Sequence, residues 1–169
     1  MIKTERLVLT QLQDNHLAAL HQMLFDPTVM QWLFSGKPMN KDEREHLINT
    51  SFTFGDELTG LGALIETSTQ QFVGFAGLLP CNFVNTKSYE LGFALQKNSW
   101  GKGYATEIGK AQIRFAFEHF QIDQLFALAH PENAGSYTVL EKIGMQHLKT
   151  LETQERGERH LYAIHRQNA

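Results

Sequence analysis

The sequence predicts one α/β domain spanning residues 1–169. Two observations predict it. Apolar spacing switches along the chain between a period of two and a period near 3.6, as it does when strands alternate with helices. One strand also runs through paired glycines straight into the longest helical stretch, the pattern of a βα unit. No linker, repeat or low-complexity stretch divides the chain.

Residues 6–12 alternate and contain β-branched side chains, so they read as a strand. Asp14 can cap a helix in which Leu17, Leu20 and Leu24 recur at i, i+3 and i+7. Asp26-Pro27 repeats the start signal, a cap followed by proline at the first helical position, and opens a short helix through Val29, Met30, Trp32 and Leu33. Asn40 with Glu43 three residues on forms a capping-box pattern that opens a third helix to about Thr50. Then the period changes. Residues 61–66, 71–79 and 88–95 read as strands, and Pro80 ends the middle one because it has no N–H for a ladder. Residues 103–120 carry an apolar stripe through Ile108, Ala111, Ile113, Phe115 and Phe117, and form the longest helix. Residues 125–130 are a continuous apolar run, as in a strand buried on both faces. Residues 133–143 form a helix stopped by Gly144, which suits the left-handed position after a helix. Residues 145–152 and 159–165 make a closing hairpin around 155–158, so the predicted order is βαααβββαβαββ.

Composition narrows the function. A hydrophobic fraction of 42% with 20% charged residues excludes a disordered chain. A net charge of −3 argues against direct nucleic-acid binding, which needs a basic stripe. The single Cys81 excludes a disulfide framework and a cysteine-based zinc site, and fits a reducing, cytoplasmic setting. No segment approaches the roughly 20 apolar residues of a membrane span, and the start of the chain has no apolar leader. A soluble cytoplasmic monomer or homodimer is expected, with no membrane partner. The charge is uneven. Residues 1–86 hold 5 basic and 9 acidic residues, and the rest 10 and 9, so a cationic acceptor drawn to the earlier half is one expectation and chance the other.

Two segments can carry chemistry. The first runs from Glu90 through Gly101-Lys102-Gly103 into the long helix. Two glycines permit a tight turn and a close backbone approach, and helix-start N–H groups favour phosphate. A tight βα turn with no ligand accounts for the same glycines. The segment is not a P-loop, because no Gly-Lys-Ser/Thr follows, and it lacks the third glycine of a dinucleotide fingerprint. In the second segment Asn133, Ser136, Tyr137 and Leu140 fall on one helix face, which suits a site or ordinary capping and surface polarity.

Read together, the chain resembles the GNAT superfamily of acyl-CoA N-acyltransferases, and within it the RimJ/RimL-like branch of ribosomal-protein N-terminal acetyltransferases. The matching pieces are Thr4-Glu-Arg-Leu-Val-Leu9, Asp26-Pro-Thr-Val-Met-Gln-Trp-Leu33, Tyr89-Glu-Leu-Gly-Phe93 and Trp100-Gly-Lys-Gly-Tyr-Ala-Thr-Glu107. Pro131-Glu-Asn133 with Ser136, Val139-Leu-Glu-Lys-Ile-Gly-Met145, and Gly157 with His160-Leu-Tyr162 complete the set, in order over nearly the whole chain. The resemblance implies a mixed, twisted sheet flanked by helices and splayed between two central parallel strands, here 89–95 and 125–130. It implies acetyl-CoA as co-substrate, with no metal. Pantetheine would pair along Leu91, Gly92 and Phe93, and the pyrophosphate would rest on backbone N–H groups of Gly101, Lys102, Gly103, Tyr104 and Ala105. The signature Q/R-x-x-G-x-G/A is met at both glycines, with Asn98 in the leading position. Leu140 stands where the superfamily often has the tyrosine that protonates the thiolate. Asn133 and Ser136 match the branch's Asn and Ser in the preceding turns and join the cofactor contacts.

Amine attack on a thioester needs a neutral amine. At pH 7 a lysine of pKa about 10.4 is neutral about once in 2,500, a cost of about 4.6 kcal/mol, whereas an α-amine near 7.8 costs about 1.2 kcal/mol. A site with modest base machinery therefore suits an α-amine. Glu90 is the candidate base and Ser136 the candidate thiol acid, with Tyr137 as its substitute; a partly exposed sheet carboxylate is the other account of Glu90. Glu107 reads as structural. Trp32 and Phe34 either line an acceptor pocket or form core and wall. The eight histidines show no metal-ligand spacing. The expected reaction is direct acetyl transfer in a ternary complex, with a protein N-terminus, such as a ribosomal protein's, as acceptor. The alternatives are a small amine or antibiotic as acceptor, and a non-catalytic acyl-CoA sensor.

Overall fold

The computed structural model describes all 169 residues. The chain runs β1 (Ile2–Lys3), β2 (Leu7–Thr10), α1 (Asp14–Phe25), α2 (Pro27–Met30), α3 (Lys41–Ser51), β3 (Gly60–Glu66), β4 (Phe72–Pro80), β5 (Tyr89–Leu95), α4 (Tyr104–His119), β6 (Gln124–Ala129), α5 (Ala134–Lys142), β7 (Gln146–Thr153) and β8 (Gly157–His165). The eight strands form one mixed sheet in the order β1-β2-β3-β4-β5-β6-β8-β7. Every neighbouring pair is antiparallel except β5 and β6, which are parallel.

Local chemistry explains the elements. Asp26 accepts the Thr28 N–H at 2.8 Å with Pro27 at the first helical position, so α2 starts as predicted. Asn40 and Glu43 form a reciprocal capping box at 2.9 and 2.8 Å. Gly144 ends α5 with φ 96°, a region open to glycine without cost. Three details differ from the reading of the sequence, the first being that α2 is a single turn ending at Met30, which leaves Trp32 and Leu33 outside the predicted helix. The cap of α1 is Gln13, whose N–H donates to His16 Nδ1 at 3.2 Å, which leaves Asp14 in the first turn where its charge suits the helix dipole. Strand β1 was not predicted, since two residues carry no period.

The two faces of the sheet bury different helices. Leu61, Ala63 and Ile65 of β3 pack with Leu20, Met23 and Leu24 of α1, while Leu64 faces the other way, toward Ile108 of α4. A bulge opposite Leu64/Ile65 lets Phe72 and Phe75, an odd number of residues apart, share the α1 face. On the opposite side α4 and α5 bury Ile113, Ala116 and Leu140 against Leu91, Leu125 and Ala127. No helix is long and apolar enough to cross a membrane.

Candidate active site

The parallel pair β5–β6 is joined at a single register position, Glu90 opposite Phe126. Beyond it the strands part. From Leu91 to Leu95 the edge of β5 lacks a strand partner on that side, and these residues line a cleft of about 450 Å³. Gly92 is open to the cleft, since a Cβ there would meet no atom within 4 Å. Gln112, fully buried on α4, donates to the carbonyls of Gly77 and Gly92 at 2.8 and 3.1 Å and so ties β4 and β5 to the helix beneath them.

The glycine turn closes one end of the cleft. Gly101 and Gly103 adopt φ of 74° and 81°, where a side chain costs about 1–2 kcal/mol. The Trp100 indole N–H donates to the Leu95 carbonyl at 2.9 Å, which fixes the turn to the end of β5. The chain enters α4 with no side-chain cap. Its first backbone bond, at 3.0 Å, runs from the Glu107 N–H to the Gly103 carbonyl, so the earlier N–H groups of the turn are available to an anion. An arginine holds this geometry. Arg6 donates through Nη1 to the Lys102 carbonyl at 2.9 Å and through Nε to Glu107 at 2.7 Å, and Glu107 also accepts from Thr4 Oγ1 at 2.6 Å. Burial pushes the Glu107 carboxyl up, but the hydrogen bonds from Thr4 and Arg6 outweigh it and hold the group below its ordinary value. Glu107 is thus a clamp between the chain start and the turn.

At the other end stands Glu90, five residues before Leu95 and so about 17 Å away along the strand. Its carboxylate accepts both terminal nitrogens of Arg156, at 2.7 and 3.0 Å. Burial pulls the Arg156 guanidinium down, yet the hydrogen bond and charge of Glu90 hold it above its ordinary value. Arg159, 5% exposed, lies beside them and donates to the Glu158 and Phe34 carbonyls at 2.8 and 3.3 Å. Burial, and then the Arg156 charge, lower its pKa. Opposite, Asn133 caps α5 by accepting the Ser136 N–H at 3.2 Å, and both residues line the cleft together with Leu140.

The predicted site residues divide accordingly. The cleft brings together Glu90, Leu91, Gly92, Phe93, Gly101, Ala105, Asn133, Ser136, Trp32 and Phe34. Lys102, Gly103, Tyr104 and Tyr137 do not line it. Tyr104 is buried, its hydroxyl bonded to Glu66 and its ring 4.8 Å from the Arg6 guanidinium, so it offers only its backbone N–H. Tyr137 packs against the core behind α5. Three polar cleft residues were not singled out from the sequence. His130 packs on Trp32 with ring centroids 4.9 Å apart, and Arg156 and Arg159 enter from the β7–β8 hairpin. Arg156 and Arg159 had one visible signal, two cations three residues apart, one in the hairpin turn and one at the start of the strand that follows it. The acidic surplus of the earlier half is not in the cleft, whose one carboxylate is already paired with Arg156.

Residues 6–146 match the family model described as the acetyltransferase (GNAT) domain. The uncharacterized protein YkkB of Bacillus subtilis (strain 168) is 32% identical over 149 residues, covering 88% of this chain and 86% of that protein. The FsC-acetyl coenzyme A-N(2)-transacetylase of Aspergillus fumigatus is 28% identical over 155 residues, 88% of this chain and 66% of its own. A crystal structure of a GNAT-family acetyltransferase from Bacillus anthracis superposes with a TM-score of 0.80 at 24% identity over 97% of each chain.

Proposed function

Because the chain belongs to the acetyltransferase (GNAT) family and is an acetyl-CoA-dependent N-acetyltransferase acting on an amine, we propose that its acceptor is an α-amine, acetylated directly in a ternary complex. The residues present fit the co-substrate: an unpaired strand edge at Leu91–Leu95, open space at Gly92, and an uncapped helix start after Gly101 and Gly103. Bound there, acetyl-CoA supplies an acetyl group activated as a thioester. The strand edge of β5 orients the arm, the turn N–H groups offset the phosphate charge, and the apolar walls exclude water.

The observation that carries the acceptor reading is the Glu90–Arg156 pair. A carboxylate held on both oxygens by a guanidinium has only about two of its roughly four lone-pair sites left to take a proton through water. Such a base suits an amine that is already substantially neutral. Ser136 Oγ, across the cleft on α5, is the group proposed to support the departing sulfur, whereas Tyr137, packed against the core, does not line the cleft. Burial pushes the Cys81 thiol up to about 11, and Cys81 does not line the cleft, which favours direct transfer over an acyl-cysteine route. A place in the RimJ/RimL-like branch, with a ribosomal-protein N-terminus as acceptor, is supported by Asn133 and Ser136 lining the cleft. The transacetylase relative favours a second reading, a small-molecule amine. The test is thiol release at pH 7 with N-terminal peptides and with lysine-type amines. An α-amine should be used at least tenfold more efficiently. Equal efficiency would overturn the α-amine reading, and acetyl-CoA binding with no thiol release from any amine would mark a sensor instead.

A further inference from the structure

We propose that the acceptor carries a carboxylate close to its reactive amine, and that the Arg159 guanidinium receives it. The inference rests on the transferase reading above and deepens it. The ionisable side chains lining the cleft are Glu90, Arg156, Arg159 and His130. Glu90 and Arg156 neutralise each other in a two-bond ion pair. Arg159 is left. It is 95% buried, yet no carboxylate lies within ion-pair distance of it. Its protein bonds are two, both to neutral carbonyls, and one of them is long at 3.3 Å. A guanidinium presents five N–H donors in a planar fork, so most of its capacity is unspent. Burial and the neighbouring Arg156 charge lower its pKa, and the more distant carboxylates of Glu90 and Glu152 only partly offset them, so a cation with no hydrogen-bonded counter-ion is held here at a cost. A carboxylate arriving with the acceptor supplies both the missing charge and a planar, two-point partner.

The position fits an acceptor group and not the co-substrate phosphates. Arg159 stands beside Arg156 and Glu90, and its side-chain bonds run to Glu158 and Phe34 and not to the Gly101–Gly103 turn. Its Nη2 bonds the carbonyl of Phe34, a residue held in the left-handed region at φ 49° on the wall with Trp32. The arginine is therefore bonded to the acceptor wall and lies within electrostatic reach of the proposed base. An acceptor clamped there by its carboxylate presents its amine near Glu90.

Two sources share this chemistry, the α-carboxylate of a free amino acid and an acidic side chain near a peptide N-terminus. The experiment uses matched pairs: an amino acid with its primary amide, and a peptide bearing aspartate at its second position with the asparagine counterpart. In each pair kcat/KM is measured by thiol release from acetyl-CoA. At least one pair should favour the carboxylate member tenfold or more, and the pair that does so names the source. In R159M that preference should fall at least fivefold, with Arg159→Lys between the two. A preference below threefold in both pairs of the wild-type enzyme overturns the inference, and this arm stands even where R159M does not fold. A preference that survives intact in folded R159M assigns the arginine to holding the Phe34 loop and also overturns it. Thiol release from no pair, with acetyl-CoA still bound, overturns the transferase reading and this inference with it.

Discussion

Ser136 and Glu90 stand on opposite sides of the cleft, and pH separates their proposed parts. An enzyme without its base depends on amine that is already neutral, so the loss in E90Q should shrink as pH rises toward the amine pKa. A loss that stays constant with pH would assign Glu90 to positioning Arg156. A thiol of pKa about 8.5 leaves with little help, and general acid effects run about 10²–10⁴-fold, so S136A should cost at most about 100-fold in kcat while acetyl-CoA binding is largely kept. Weaker acetyl-CoA binding with kcat unchanged would make Ser136 a cofactor contact. At this scale the sequence was legible where a site residue travels with its own turn or cap. Asn133 and Ser136 are three apart on one helix start, and Glu90 precedes the glycine turn on its own strand. Arg156 and Arg159 were not legible, because a charged hairpin turn reads as solvated until β8 is placed beside β6.

The strand β5 and the turn that follows it offer the cleanest test of cofactor seating. Valine at Gly103 is a poor probe, since φ 81° strains any side chain before a ligand is involved. Gly92 lies in regular strand with its Cβ direction open, so Gly92→Leu should fold normally and fill the cleft. Calorimetry should then find acetyl-CoA affinity reduced at least tenfold with Tm little changed. Full affinity in the folded variant would move the cofactor away from β5. Elements with strong local signals were readable from the sequence. The capping box at Asn40 and the Asp26-Pro27 start are complete within four residues, and the stripe of α4 recurs from Ile108 to Phe117. Strand β1 escaped because its pairing with β2, Ile2 opposite Leu9, lies outside its two residues.

Across the whole molecule, periodicity supplied the strands but not their order. That β8 lies between β6 and β7, and that β5 and β6 run parallel, depends on contacts between distant segments, and only the resemblance of the ordered motifs pointed to the splayed sheet. Net charge was a still poorer guide. The acidic surplus of the first half does not line the cleft, whose one cation without an ion-pair partner is Arg159. The single Glu90–Phe126 rung has a mechanical consequence. Two half-sheets, one of five strands and one of three, share almost no backbone ladder and are held together chiefly through α4, α5 and the Ser88 hydroxyl bonded to the Gln124 carbonyl at 2.6 Å. The seam should therefore breathe as a hinge between two cooperative units, with amide hydrogens of residues 91–95 that point into the cleft exchanging faster than the rungs of β3 and β4. An arm bound along that edge replaces the absent rungs. Hydrogen exchange followed by mass spectrometry should show the protection of 91–95 rising most on adding acetyl-CoA, and uniform protection across both half-sheets would mean that the seam is already closed.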